Sequence, residues 1–231
     1  MILQKKLKKH IKNRNNGKKI NYQNQRISYH KFDSSLQDMI ETSGDYLEFP
    51  HILEMDITKA YYKMARNLDY ISEEIYQICL KLPKHIRLRL IGSIATHKVV
   101  EKYENKELKD IQIIEDLELR DIWFHICYEV GKIMVECSEA IQDYFIFYWV
   151  DGIYFQMDKR FSTKNDPSQQ IIKSIFQKNN LDFSVNELNK ISLQNYNEHL
   201  TLKCFKNNEV KSHFSVPYKK VKMYVDDKIL A

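Results

Sequence analysis

Tyr144-Phe-Ile-Phe-Tyr-Trp-Val150, running straight into Asp151-Gly152-Ile153-Tyr154-Phe155-Gln156, is the stretch on which the fold turns. A continuous aromatic and β-branched run reads as a strand buried on both faces. Asp-Gly is a common hairpin pair, so Asp151–Gly152 is expected to turn and Ile153–Gln156 to return antiparallel. A carboxylate at the tip of so apolar a hairpin needs a partner, because burying an unpaired charge is costly.

Upstream, Leu119–Ile141 places Leu119, Ile122, Trp123, Ile126, Val130, Ile133, Met134, Cys137, Ala140 and Ile141 on one helical face, with charged residues on the other. Further back, His51–Asp56 (HILEMD) is a short apolar strand that ends on a carboxylate. A helix is expected over Thr58–Leu68. Ser72 with Glu73 and Glu74 marks another helix start. Pro83 suits the first turn of a helix reaching about Val100. Downstream, Asp166–Pro167 caps a helix to about Asn179. Lys190–Pro217 reads as strands, with Asn207–Asn208 turning between Leu200–Phe205 and Val210–Val216. This order predicts an α+β fold, an antiparallel sheet with helices on one face.

The net charge of +5 hides an asymmetry. Before Asp33, the first acidic residue, stand ten cations: Lys5, Lys6, Lys8, Lys9, Lys12, Arg14, Lys18, Lys19, Arg26 and Lys31. The remainder carries 26 basic and 31 acidic residues. Residues 1–32 therefore read as a basic arm, flexible or partly helical, that seeks the phosphates of DNA or another nucleic acid. The bland reading is a solvated end. Residues 33–231 read as one domain. The four cysteines have no C-x-x-C or zinc spacing and fit reduced thiols of a cytoplasmic protein. No apolar run reaches the ~20 residues of a membrane helix, so no membrane partner is expected. His97, His125 and His199 show no ligand spacing.

Asp56 and Asp151, 95 residues apart, each follow a buried strand. Two carboxylates at neighbouring strand ends can hold two divalent ions for phosphoryl transfer. Asp56 could equally cap the helix that follows, and Asp151-Gly152 could be a plain turn. Glu54 points to the same sheet face as Asp56 and is a candidate accessory carboxylate.

These residues also carry a resemblance. Asp56-Ile57-Thr58-Lys59-Ala60-Tyr61-Tyr62 resembles motif A of family B DNA polymerases, D-x-x-S-L-Y-P. Val150-Asp151-Gly152-Ile153-Tyr154-Phe155 resembles the second half of motif C, D-T-D-S-I-Y-V. Lys84 and Gly92 share the spacing of motif B, K-x-x-x-N-S-x-Y-G. The departures are Lys59 and Tyr62 in motif A, Leu88, Arg89 and Ile91 in motif B, and Trp149 and Gly152 in motif C.

The resemblance implies a palm domain with a short helical fingers insertion at about 69–115. It implies two Mg²⁺ (or Mn²⁺) ions on Asp56 and Asp151. Lys84 would grip the dNTP triphosphate with Arg87 and Arg89 assisting, and Tyr61 would pack under the sugar. Lys203 would contact primer-template. Exposed solvation is the alternative for Lys84, and ordinary core packing for Tyr61. A rival reading is an inactive palm-like protein that binds nucleic acid or a replication partner. A reverse-transcriptase-like palm fits less well, because the paired aspartates of that motif C are absent. The composition suits a viral or mobile element.

Overall fold

The structure is a computed structural model that describes residues 2–18, 29–42, 46–95, 98–104, 107–196 and 199–217. In chain order its elements are α1 (Ile2–Asn15), β1 (His30–Phe32), α2 (Leu36–Thr42), β2 (Tyr46–Ile57), α3 (Ala60–Asn67), α4 (Glu73–Leu80), α5 (Lys84–Gly92), β3 (Lys98–Glu104), β4 (Glu107–Ile114), α6 (Leu117–Ala140), β5 (Phe145–Trp149), β6 (Gly152–Gln156), α7 (Pro167–Lys178), β7 (Phe183–Tyr196), β8 (His199–Lys206) and β9 (Glu209–Pro217). The fold is α+β. The chain divides into two compact units, Met1–Ile27 with Lys59–Glu129, and Ser28–Thr58 with Val130–Ala231.

The second unit is built on a seven-stranded antiparallel sheet in the order β1-β5-β6-β2-β7-β8-β9. Within it, β2, the hairpin β5–β6 and β7 lie in the order β5-β6-β2-β7, with α7 linking β6 to β7. This is the split β-α-β arrangement, in which β2 lies between strands that follow it in the chain. The apolar run keeps Phe145, Ile146, Phe147 and Tyr148 buried. Asp166 caps α7 as its sequence announces, accepting from the Gln169 amide at 3.1 Å.

The sheet curls. Phe214 on β9 packs against Phe147 on β5 at 5.8 Å and Tyr154 on β6 at 6.0 Å, although β7 and β8 separate β9 from β2 in the strand order. The curl encloses a core of Ile52, Phe147, Tyr154, Leu188, Ile191, Leu193, Leu202 and Cys204, with Leu47 and Phe49 packed against it. Leu47 and Phe49 have the opposite parity to Ile52 along one strand. His51 reconciles them: its φ of 57° lies in the left-handed region and resets the alternation.

In the first unit, α1 lies beside α5, with Leu7 and Ile11 buried. Polar ties fix it further. Lys12 pairs with Asp116 at 2.7 Å, Arg14 pairs with Asp69, and Asn15 donates to Glu118 at 2.9 Å. The basic segment is thus ordered helix over Ile2–Asn15. Lys19 lies outside the described residues.

Four expected boundaries move. The helix after Pro83 ends at Gly92, well before Val100, and passes through a 3₁₀ turn (Ser93–Ala95). The β3–β4 hairpin follows, so the segment expected as a helical insertion is helical only in its first part. β-branched and aromatic residues (Val99, Val100, Tyr103, Ile111, Ile113) explain the change. β7 begins at Phe183 rather than Lys190. The hairpin loop is Val150-Asp151, because Trp149 pairs directly with Gly152.

Candidate functional site

β2 ends between two partners. Asp56 stands opposite Gly152 of β6 on one side and Ser184 of β7 on the other. The next amides are also held: Ile57 N–H donates to the Asp151 carbonyl at 2.9 Å, and Thr58 N–H to the Asp182 carbonyl at 2.8 Å. Asp151 is therefore tied through its backbone to the residue after Asp56. Both aspartates are half-buried.

The hairpin tip is unusual. Val150 sits at φ 59°, a conformation that costs a β-branched residue about 1–2 kcal/mol. Surrounding contacts hold it there. The Val150 amide donates to the Tyr29 carbonyl at 2.7 Å, and Trp149 stacks on His30 with centroids 3.8 Å apart at 24°. Such strain is found where a tip must present a side chain in one orientation. Burial holds the His30 ring well below the ordinary imidazole range, at about 4.

Glu54 faces the same enclosed side as Asp56. Its carboxylate accepts from the Tyr154 hydroxyl at 2.8 Å and pairs with Lys211. Lys211 reaches it through a β-bulge: Cys204 pairs with Ser212 and Phe205 with Val210, leaving Lys211 as the extra residue. Burial, followed by the charge of Glu54, raises the Tyr154 hydroxyl far above its ordinary range, so it acts as a fixed donor. Both Glu54 oxygens are thereby engaged, which removes it as a free accessory carboxylate. No local sequence signal marks a bulge that re-aims Lys211.

Asp56 and Asp151 offer an all-oxygen donor set of the type Mg²⁺ takes, usually one or two carboxylates completed by water and substrate phosphates. Gly152 helps to keep that place open. A Cβ there would lie 3.4 Å from Asp56 Oδ1. Among the described residues, no group of three or more His, Cys, Asp and Glu could hold a metal.

The other candidates are dispersed. Lys203 on β8 alternates with Leu202 and Cys204 of the enclosed core, so it lies on the opposite sheet face from Asp56. Lys84, Arg87 and Tyr61 belong to the first unit. Lys84 is exposed at the first residue of α5. Arg87 donates to the Leu80 and Leu82 carbonyls at 3.2 and 3.3 Å, so its guanidinium closes the C-terminal end of α4. The Tyr61 ring packs on Trp123 with centroids 4.9 Å apart. Of the basic set, Lys12 and Arg14 are internal ties, while Lys5, Lys6, Lys9 and Lys18 are exposed and Lys8 is half-buried.

No protein-family model matches the chain, and no curated protein matches its sequence. Among the described residues, no helix is long and apolar enough to cross a membrane.

Proposed function

We propose that the chain is a compact, template-directed nucleotidyltransferase of the DNA polymerase palm type, which joins a dNTP to a primer 3′-hydroxyl. The observation that carries this reading is the abutment of two strand ends. Asp56 faces Gly152, and the Asp151 carbonyl holds the Ile57 amide at 2.9 Å. The split β-α-β order, with the strand of the first motif beside the hairpin of the second, supports it further.

In this reading Asp56 and Asp151 hold two Mg²⁺ (or Mn²⁺) ions. When bound, the ions supply Lewis-acid stabilisation of the phosphate oxygens and activation of the attacking hydroxyl. The protein's part is to orient the two carboxylates. Pairing to β6 and β7 fixes the end of β2, and the Tyr29 and His30 contacts fix the strained tip. Lys84 as a triphosphate contact and Tyr61 as a sugar contact rest on the motif resemblance alone. Arg87 as a helper rests on the same resemblance, and its Nη1 is engaged by the Leu80 and Leu82 carbonyls.

A second reading is a palm-like protein that binds nucleic acid or a replication partner without catalysis. The Lys211–Glu54 pair favours it, since it neutralises a further carboxylate on the sheet face of Asp56. Primer extension with Mg²⁺ or Mn²⁺ separates the two. The enzyme reading requires extension by the full chain that disappears in both Asp56→Asn and Asp151→Asn, with the melting temperature unchanged. Nucleic-acid binding with no extension under either metal selects the second reading.

A further inference from the structure

Helix α1 carries six cations (Lys5, Lys6, Lys8, Lys9, Lys12 and Arg14) and no acid. Like charges three and four residues apart destabilise a helix by roughly 0.2–0.5 kcal/mol per pair. The two C-terminal cations are matched by Asp116 and Asp69. Among the described residues Lys5 and Lys8 form no ion pair, and neither does Arg89 on α5. These three unmatched cations meet in one place. They line a groove of about 450 Å³ between α1 and α5, together with Leu88 and Gly92.

On the α5 side of the groove Leu88 and Gly92, four residues apart, share one helix face. Leu88 is 55% exposed. A Cβ built on Gly92 meets nothing within 4 Å, so the absent side chain leaves the groove open. Lys5 and Lys8 stand about 4.5 Å apart along α1, at ~1.5 Å per residue, and Arg89 lines the same groove from α5.

We infer that this groove binds the sugar-phosphate backbone of a single nucleic-acid strand, through Lys5, Lys8 and Arg89. An electropositive groove that follows a backbone suits a flexible single strand, and among the described residues no aromatic side chain lines it, so its contacts are to phosphates. Binding is therefore independent of sequence and strongly dependent on salt. It does not rest on the catalytic reading, because none of these residues carries the two carboxylates.

The test is fluorescence anisotropy of a labelled short oligo(dT) strand with the full chain across a salt series. The double substitution Lys5→Glu/Lys8→Glu is expected to weaken binding at least tenfold at low salt. It should lower the slope of log affinity against log salt by about 1.4, at ~0.7 for each single-strand phosphate that is no longer neutralised. Gly92→Leu should fill the groove and weaken binding at least tenfold with the circular-dichroism spectrum unchanged. Lys159→Glu, a charge reversal at an exposed residue of the second unit, should leave binding unchanged, which separates this groove from general surface charge. Unchanged affinity and salt slope in both groove variants would overturn the inference and leave α1 as a solvated face. Competition by inorganic tripolyphosphate as effective as by unlabelled strand, at equal phosphate concentration, would also overturn it, by assigning the groove to a free polyphosphate.

Discussion

Asp56 Oδ1 lies 3.4 Å from the point where a Cβ on Gly152 would fall, across the β2–β6 pairing. The glycine therefore matters as space beside a carboxylate, not as turn chemistry, since its own φ is unexceptional and the loop residues are Val150 and Asp151.

Gly152→Ala tests that space directly. The methyl group makes ordinary van der Waals contact with Asp56 and Tyr154, so unfolding stability is expected to change by less than about 1 kcal/mol. Primer extension should fall at least tenfold, because displacement of a reacting group by about 1 Å can cost up to 10²-fold. Urea unfolding and single-turnover extension measure the two effects separately. Unchanged extension would mean that nothing binds beside Asp56 Oδ1.

Val150→Gly is expected to stabilise the protein. The left-handed conformation costs valine about 1–2 kcal/mol, whereas glycine adopts it freely and loses about 0.5–1 kcal/mol of backbone entropy. The net gain is about 0.5–1 kcal/mol, read from the midpoint of urea unfolding. A lower midpoint would show that the side-chain contacts of Val150 outweigh its strain.

Lys211→Met leaves Glu54, whose side chain is 9% exposed, with the Tyr154 hydroxyl as its hydrogen-bond donor and no matching charge from β9. Breaking a buried pair by removing one member is costly, and with Lys211 partly exposed the destabilisation is expected at about 2–3 kcal/mol. Glu54→Gln in the same background keeps the Tyr154 hydrogen bond and removes the unpaired charge, so it should restore more than half of that stability. Additive effects of the two substitutions would argue that the pair contributes nothing.

His30 gives the fold a dependence on acid. Burial keeps its ring neutral down to about pH 4, against an ordinary value of 6.5. Between those values the unfolded chain binds a proton that the folded chain does not. Stability therefore falls as pH drops from about 6.5 to about 4 and levels off below. The decrease is about 2 kcal/mol after allowance for partial exposure. His30→Phe keeps the stack on Trp149 and should flatten this part of the curve, measured by thermal melts across the range. An identical slope in the variant would place the titration elsewhere.

Much of the fold was legible because its signals are local. The aromatic run announced β5, the one-sided apolar pattern announced α6, and Asp166-Pro167 announced the start of α7. Asn207 and Asn208, at φ 53° and 63°, turn between β8 and β9 as their type allows. Asp56 and Asp151 were legible as strand-end carboxylates because each follows a buried apolar run. Lys59 and Val150 also take positive φ, but neither is a residue type that favours it.

What the sequence determined by itself is the set of elements and the placement of Asp56 and Asp151 at strand ends, since propensity, periodicity and capping act within a few residues. Only the tertiary structure decided that β2 lies between β6 and β7 and that Gly152 faces Asp56. It also brought Lys211 onto Glu54 through a bulge, took Arg87 into the end of α4, and laid the basic helix α1 beside α5. Each of these depends on side chains far apart in the chain meeting at a shared surface. Strand order and register follow from which apolar faces can be buried together, and no local pattern carries that information.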